Sequence, residues 1–186
     1  MQPSTIRIVA YSEVASTASL TRALDDILFE ASATTSFTSD AARAAFRDRW
    51  LGRYLAGAPE HAFLALSGKG EIAGYLVGAL ADPALDRHLD DLGYVQDFAA
   101  LSARYPAHLH INLAPQYRSG GIGARLVEAF ATHAVACHAP GMHVVTARGM
   151  RNVGFYLHNG FSELGRATWR GRTLLFLARS FDVQRR

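Results

Sequence analysis

Leu113-Ala114-Pro115-Gln116-Tyr117-Arg118-Ser119-Gly120-Gly121-Ile122-Gly123 is the most informative segment of this chain. Before it, the run His108 to Ala114 reads as a strand, and Pro115 suits its exit because a proline cannot continue a ladder. After it, Ile122, Leu126, Ala129, Phe130, His133 and Ala134 recur at helical spacing as far as about Cys137. A strand, a turn with three glycines and a helix therefore follow one another. The first turn of a helix leaves main-chain N–H groups without partners, and the helix dipole adds about half a positive charge there. Glycines let those groups approach an anion with no Cβ in the way. The turn suits a phosphate or pyrophosphate. It is not the dinucleotide pattern Gly-x-Gly-x-x-Gly, since Leu126 takes the last position, and the chain has no Gly-Lys-Ser/Thr triplet of a P-loop. On these residues alone, a tight turn that only packs a helix against a strand stays open.

Downstream, Pro140-Gly141 breaks the helix and Met142 to Ala147 reads as a strand. Arg151 to Asn159 is a short helix closed by Gly160, and Phe161 to Trp169 with Thr173 to Arg179 form a hairpin around Gly171. Upstream, Thr5 to Tyr11 alternates as a half-buried strand does. Thr17 is placed to cap a helix with Leu20, Leu24, Ile27 and Leu28 on one face. Ala31 to Ser39 is a loop, and Asp40 is the expected cap of a second helix. Phe46, Trp50 and Tyr54 share a face of that helix, and Gly57 and Pro59 end it. Ala62 to Leu66 and Ile72 to Leu80 form a hairpin around Gly68-Lys69-Gly70. Residues 81–106 form an acidic, lid-like insertion, with Asp82, Asp86 and Asp90 expected on one helical face and Asp91 and Asp97 nearby. A solvated surface helix is the plainer reading of the same spacing. The order β-α-α-β-β-β-α-β-α-β-β predicts an α+β fold with a mixed sheet and helices on its faces.

The chain has 186 residues, 49% hydrophobic and 19% charged, enough for one domain with a single core. One cysteine, Cys137, excludes a disulfide scaffold and a Cys-based zinc or iron–sulfur site. The net charge is only +3, and the basic residues, all arginine except Lys69, are scattered, so no nucleic-acid partner is expected. No run approaches the ~18–20 apolar residues that span a bilayer. Met1 to Glu13 lacks the pattern of a signal peptide, so a cytoplasmic location and no membrane partner are expected.

A second segment, Asn152-Val153-Gly154-Phe155-Tyr156-Leu157-His158-Asn159-Gly160-Phe161, completes a constellation. Arg118-x-x-Gly121-x-Gly123 and this Asn…Phe-Tyr…Gly-Phe run together resemble the GCN5-related N-acetyltransferase (GNAT) superfamily. Tyr105 to Asn112, with Gly74-Tyr75 and Gly78-Ala79, is similar more narrowly to the acetyltransferase-like domains related to the C-terminal region of O-GlcNAcase. The resemblance implies one α+β domain over residues 1–186. Its mostly antiparallel mixed sheet would have about seven strands, with strands 4 and 5 splayed.

The resemblance also implies acetyl-CoA as co-substrate. The N–H groups of Ser119, Gly120, Gly121, Ile122, Gly123 and Ala124 would hold its pyrophosphate, with Arg118 at the start of the cradle and Arg125 and Arg151 adding charge. The main chain at Leu113 and Ala114 would receive the pantetheine arm as an added strand. The Leu113 N–H would face the oxyanion of the tetrahedral intermediate. Tyr156 would be the general acid for the leaving thiolate, and Asn152 would support the pantetheine.

The strand before the glycine turn carries no carboxylate; His108, His110 and Asn112 alternate onto one of its faces. A neutral histidine can take a proton from an ammonium, and His110 is the best-placed base. Asp97 or another acid of the insertion is the alternative. His108-x-His110 with His143 is a weak three-histidine pattern with no acid beside it, so no metal is expected. The expected reaction moves an acetyl group to a primary amine of a small molecule, and the acidic insertion favours a cationic acceptor. A non-catalytic acyl-CoA-binding module and a protein or peptide N-acetyltransferase are the alternatives. A homodimer is left open.

Overall fold

A computed structural model describes residues 5–32, 34 and 36–181 of the chain. Its regular elements are β1 (Arg7–Ala10), α1 (Ala18–Ala31), α2 (Asp40–Arg47), α3 (Arg53–Gly57), β2 (Phe63–Leu66) and β3 (Ile72–Ala79). There follow α4 (Ala99–Ser102), β4 (Ala107–Leu113), α5 (Ile122–Ala136), β5 (Gly141–Ala147), α6 (Asn152–His158), β6 (Ser162–Trp169) and β7 (Arg172–Ser180). The seven strands lie in one sheet in the order β1-β2-β3-β4-β5-β7-β6. The β4–β5 ladder is parallel, and those of β1–β2, β2–β3, β5–β7 and β6–β7 are antiparallel. This is the expected α+β architecture. No helix among the described residues is long and apolar enough to cross a membrane.

The chain divides into two compact units: the described residues up to Gly78 with His110–Phe130, and Ala79–Leu109 with the described residues from Ala131 onward. In the first unit, the Thr17 hydroxyl accepts from the Leu20 N–H at 3.1 Å and starts α1. The face read from the sequence, Leu20, Leu24, Ile27 and Leu28, is buried. The second helix starts differently from the expectation. Ser39, not Asp40, is the cap, its hydroxyl accepting from the Ala42 N–H at 3.1 Å, and Asp40 is the first helical residue. That helix is also interrupted, because Asp48–Gly52 forms a π-helical turn between α2 and α3.

In the second unit, β5, β7 and β6 form a long antiparallel ladder over a core of Met142, Phe176 and Leu177. Arg170 (φ 48°) and Gly171 (φ 73°) join β6 to β7 in a two-residue turn with both φ values positive, the geometry that fits strand twist. The insertion between β3 and β4 does not carry Asp82, Asp86 and Asp90 on one helical face. It consists of three 3₁₀ turns, Pro83–Leu85, Arg87–Leu89 and Gln96–Phe98, followed by α4. Asp82 and Asp86 are caps, accepting from the Ala84 N–H at 3.0 Å and the His88 N–H at 2.9 Å. A side chain that bonds to the main chain two residues on begins a new turn and competes with a continuous helix. The insertion packs onto the C-terminal hairpin, with Phe98 on Phe176 at 5.3 Å and Tyr94 on Trp169 at 5.4 Å between ring centroids. The parallel ladder of β4 with β5 is confined to Ala107–Met142 and His108–His143.

Candidate active site

The first unit holds the end of β4 and the glycine turn. Ala73, Gly74 and Tyr75 of β3 meet Ala114, Leu113 and Asn112 in reverse order, as antiparallel neighbours do. The Ala114 N–H donates to the Ala73 carbonyl at 3.0 Å. Main-chain groups alternate in direction along a strand, so those of Leu113 point to the edge of β4 away from β3. On that edge the Arg118 Nε–H donates to the Leu113 carbonyl at 3.1 Å. Two residues singled out in the sequence are thus joined, and Arg118 braces the strand end.

The turn itself is tight. Pro115–Tyr117 is a 3₁₀ turn, and Ser119 and Gly121 have φ values of 64° and 75°. Ser119, Gly120 and Gly121 are exposed, and a Cβ on either Gly120 or Gly121 would meet nothing within 4 Å. The helical ladder begins with the Arg125 N–H, which donates to the Gly121 carbonyl at 3.2 Å; the N–H groups of Ile122, Gly123 and Ala124, in the first turn, have no acceptor within the helix. The turn is therefore open at Ser119, Gly120 and Gly121, and the free donors of the first helical turn follow at Ile122 and Gly123, which are buried. The Arg125 guanidinium is committed elsewhere, donating to the Ile6 carbonyl at 2.9 Å. Tyr117 donates its hydroxyl to Glu71 Oε2 at 2.8 Å, tying the turn to the β2–β3 hairpin.

His110 is half-buried on the same face of β4 as Asn112. Its Nε2 lies 3.0 Å from the Tyr54 hydroxyl, and the Trp50 ring stands edge-on at 4.9 Å between centroids. Tyr54 is 4% exposed. Asn112 Nδ2 donates to the Tyr75 hydroxyl at 2.9 Å. Burial pushes the Tyr75 phenol well above its ordinary range, against the opposing bond from Asn112. The sequence reading placed Trp50 and Tyr54 on a helix face without connecting them to His110. A polar aromatic on an otherwise apolar face was their signal; the 56 residues between Tyr54 and His110 hid the contact.

The second unit holds α6. The Thr146 hydroxyl, at the end of β5, donates to Asn152 Oδ1 at 2.9 Å and fixes the first residue of α6. Tyr156 is 5% exposed, with Phe155 and Phe161 around its ring at 5.2 Å and 5.3 Å. Burial raises its phenol above the ordinary value, so the hydroxyl holds its proton at neutral pH. His108 and His143 are buried core residues. Their rings stand 5.7 Å apart, His143 stacks on Phe176 at 4.4 Å, and His143 Nδ1 bonds to the Tyr105 carbonyl. Among the described residues, no three His, Cys, Asp or Glu side chains are grouped to hold a metal ion. Asp97 is exposed in the 3₁₀ turn before α4.

Residues 23–161 match the Acetyltransferase (GNAT) family. Among solved structures, SsHAT has a TM-score of 0.72 and 22% identity, covering 96% of this chain and 98% of its own. PH1933 from Pyrococcus horikoshii OT3 has a TM-score of 0.72 and 13% identity, covering 96% of this chain and 100% of its own. The NatC complex bound to Gag peptide and CoA has a TM-score of 0.59 and 15% identity, covering 95% of this chain and 98% of that one. At these identities the likenesses show a shared fold. The family match spans most of the chain, and the chain belongs to the GNAT acetyltransferase family.

Proposed function

We propose that this GNAT acetyltransferase moves the acetyl group of acetyl-CoA directly to a primary amine of a small molecule. The observation that carries the proposal is the open turn at Gly120 and Gly121 leading straight into the first turn of α5, whose N–H groups precede the first helical bond at Arg125. That donor set fits a pyrophosphate, because donors at a helix head and the helix dipole both favour an anion.

Each residue then has a task. Ser119, Gly120, Gly121, Ile122, Gly123 and Ala124 bind the pyrophosphate, and Arg118 holds the Leu113 carbonyl so that the strand end keeps its direction. Ala114 spends its N–H on Ala73 and the Leu113 carbonyl accepts from Arg118, which leaves Leu113 to offer its N–H on the outer edge of β4. A main-chain donor aimed at a developing oxyanion is worth ~10²–10³ in rate. Tyr156 delivers its proton to the leaving thiolate, for ~10²–10⁴ in rate. Asn152, pinned by Thr146, orients the pantetheine. His110 takes a proton from the acceptor's ammonium, freeing the amine that attacks the thioester carbonyl.

The test has two arms. Acetyl-CoA at 100 times its Kd stabilises by about 2.7 kcal/mol, or roughly 5–10 °C for a chain of this size. That shift should disappear when Gly121 and Gly123 are both replaced by valine; no shift with the natural chain would overturn the cofactor site. Panels of small amines and of peptides are then assayed for acetyl transfer. Turnover of small amines supports the proposal. Turnover of peptides alone, or acetyl-CoA binding with no turnover on either panel, would overturn it.

A further inference from the structure

We infer that Tyr54 is a positioning residue for His110, its hydroxyl holding the imidazole and stabilising the protonated ring formed when His110 takes a proton from the acceptor. The inference rests on the reading of His110 as the base, and it supplies what β4 lacks, a polar partner in place of a carboxylate. The Tyr54 hydroxyl is 3.0 Å from His110 Nε2, and the two rings stand 5.2 Å apart. A neutral imidazole has one donor and one acceptor nitrogen, whereas the protonated ring donates from both. The phenol oxygen can accept in that state, and a hydrogen bond from a charged donor is roughly twice as strong as a neutral one. The Tyr54 contact therefore favours the protonated ring over the neutral one.

Trp50 and Tyr54, four residues apart across the π turn, share one helix face, so one short segment reaches the histidine twice. Trp50 lies in the turn and Tyr54 just after it, and both rings contact His110. A π turn costs an otherwise regular helix good hydrogen-bond geometry, and such turns recur at functional sites.

The charged groups of the neighbouring elements include two ion pairs. From α1 and α2, Asp25 and Arg47 pair at 2.7 Å. In the π turn and α3, Asp48 pairs with Arg53 at 3.3 Å. Arg49, also in the π turn, has interactions of its own. From β3, Tyr75 is bound by Asn112. On β4 itself, His108 precedes by two residues and is buried.

The test is an NMR titration of the His110 ring in the full chain, its signal assigned by loss in His110→Gln, together with the pH profile of kcat/KM. In Tyr54→Phe the His110 midpoint should fall by about half a unit to one unit, the difference between charged and neutral hydrogen bonds. The acid limb of kcat/KM should move down by the same amount, while KM for acetyl-CoA stays unchanged. A midpoint that stays or rises in Tyr54→Phe, with activity lowered equally at every pH, would overturn the role of Tyr54 alone. A midpoint that falls while the acid limb stays would overturn His110 as the base, and the role of Tyr54 with it.

Discussion

Gly74 and Leu113 touch so closely that no side chain fits between them: a Cβ on Gly74 would stand 2.2 Å from Leu113 Cδ2 and 3.1 Å from Leu113 Cα. The Asn112 carbonyl would be 2.7 Å away. The missing side chain on β3 thus sets where the end of β4 lies. Gly74→Ala must push that strand end outward. Overpacking of this kind costs ~1–3 kcal/mol, and it would move Leu113 itself. Thermal unfolding should show the loss of stability, and the acetyl-CoA-induced shift should shrink with it. A variant that binds acetyl-CoA normally would show that the position of Leu113 is not set by Gly74.

Tyr156→Phe removes one oxygen from a ring that Phe155 and Phe161 already enclose. The fold should survive, as read by an unfolding temperature within a few degrees of the natural chain. Acetyl-CoA binding should be unchanged. The rate should drop by ~10²–10⁴. An undiminished kcat would remove Tyr156 from the proton path.

Thr146→Val leaves the shape of the residue at the end of β5 and removes the hydroxyl that holds Asn152. Net hydrogen-bond contributions of ~0.5–1.5 kcal/mol set the scale of the stability change. Because Asn152 is assigned to the pantetheine, KM for acetyl-CoA should rise several-fold with little change in kcat. Equal KM values for the two chains would confine Thr146 to a structural part.

Stability should fall in mild acid because of His108. This imidazole is 6% exposed, and burial holds its pKa below the ordinary value despite the nearby carboxylates of Asp82 and Asp86, which act the other way. The unfolded chain titrates its histidines near ~6.5. Above that pH neither state binds the proton, and the folded state keeps its full stability. Below it the unfolded state takes up the proton first, so stability is lost as pH falls, by at most ~1.4 kcal/mol per pH unit for this one group. Urea unfolding at pH 7.5, 6.5 and 5.5 reads the slope. His108→Gln should flatten it; an unchanged slope would assign the acid sensitivity to other groups.

Much of this was legible along the chain because it depends on local rules. Thr17 at a cap, four apolar residues on one face of α1, and the hairpins at Gly70 and Gly171 follow from spacing and turn chemistry. The element order was legible for the same reason, and the glycine turn with the Asn152 to Phe161 run pointed to the family. Where the reading failed, local competition decided. Ser39 and Asp40 both suit a cap, and Ser39 took it. Asp82, Asp86 and Asp90 have helical spacing, but Pro83 offers no N–H and two of the carboxylates cap their own turns.

The sequence by itself determined the order of strands and helices and, through the glycine turn and the Asn152 to Phe161 run, the family. Only the tertiary structure decided how the candidate site residues are held. Arg118 turned back to brace Leu113, Arg125 was tied to Ile6, and Gly74 set the end of β4. Tyr54 and Trp50 came to His110 from more than fifty residues away. Periodicity and capping report interactions within a few residues of each other, whereas a hydrogen bond between distant elements exists only once their packing has set the distance.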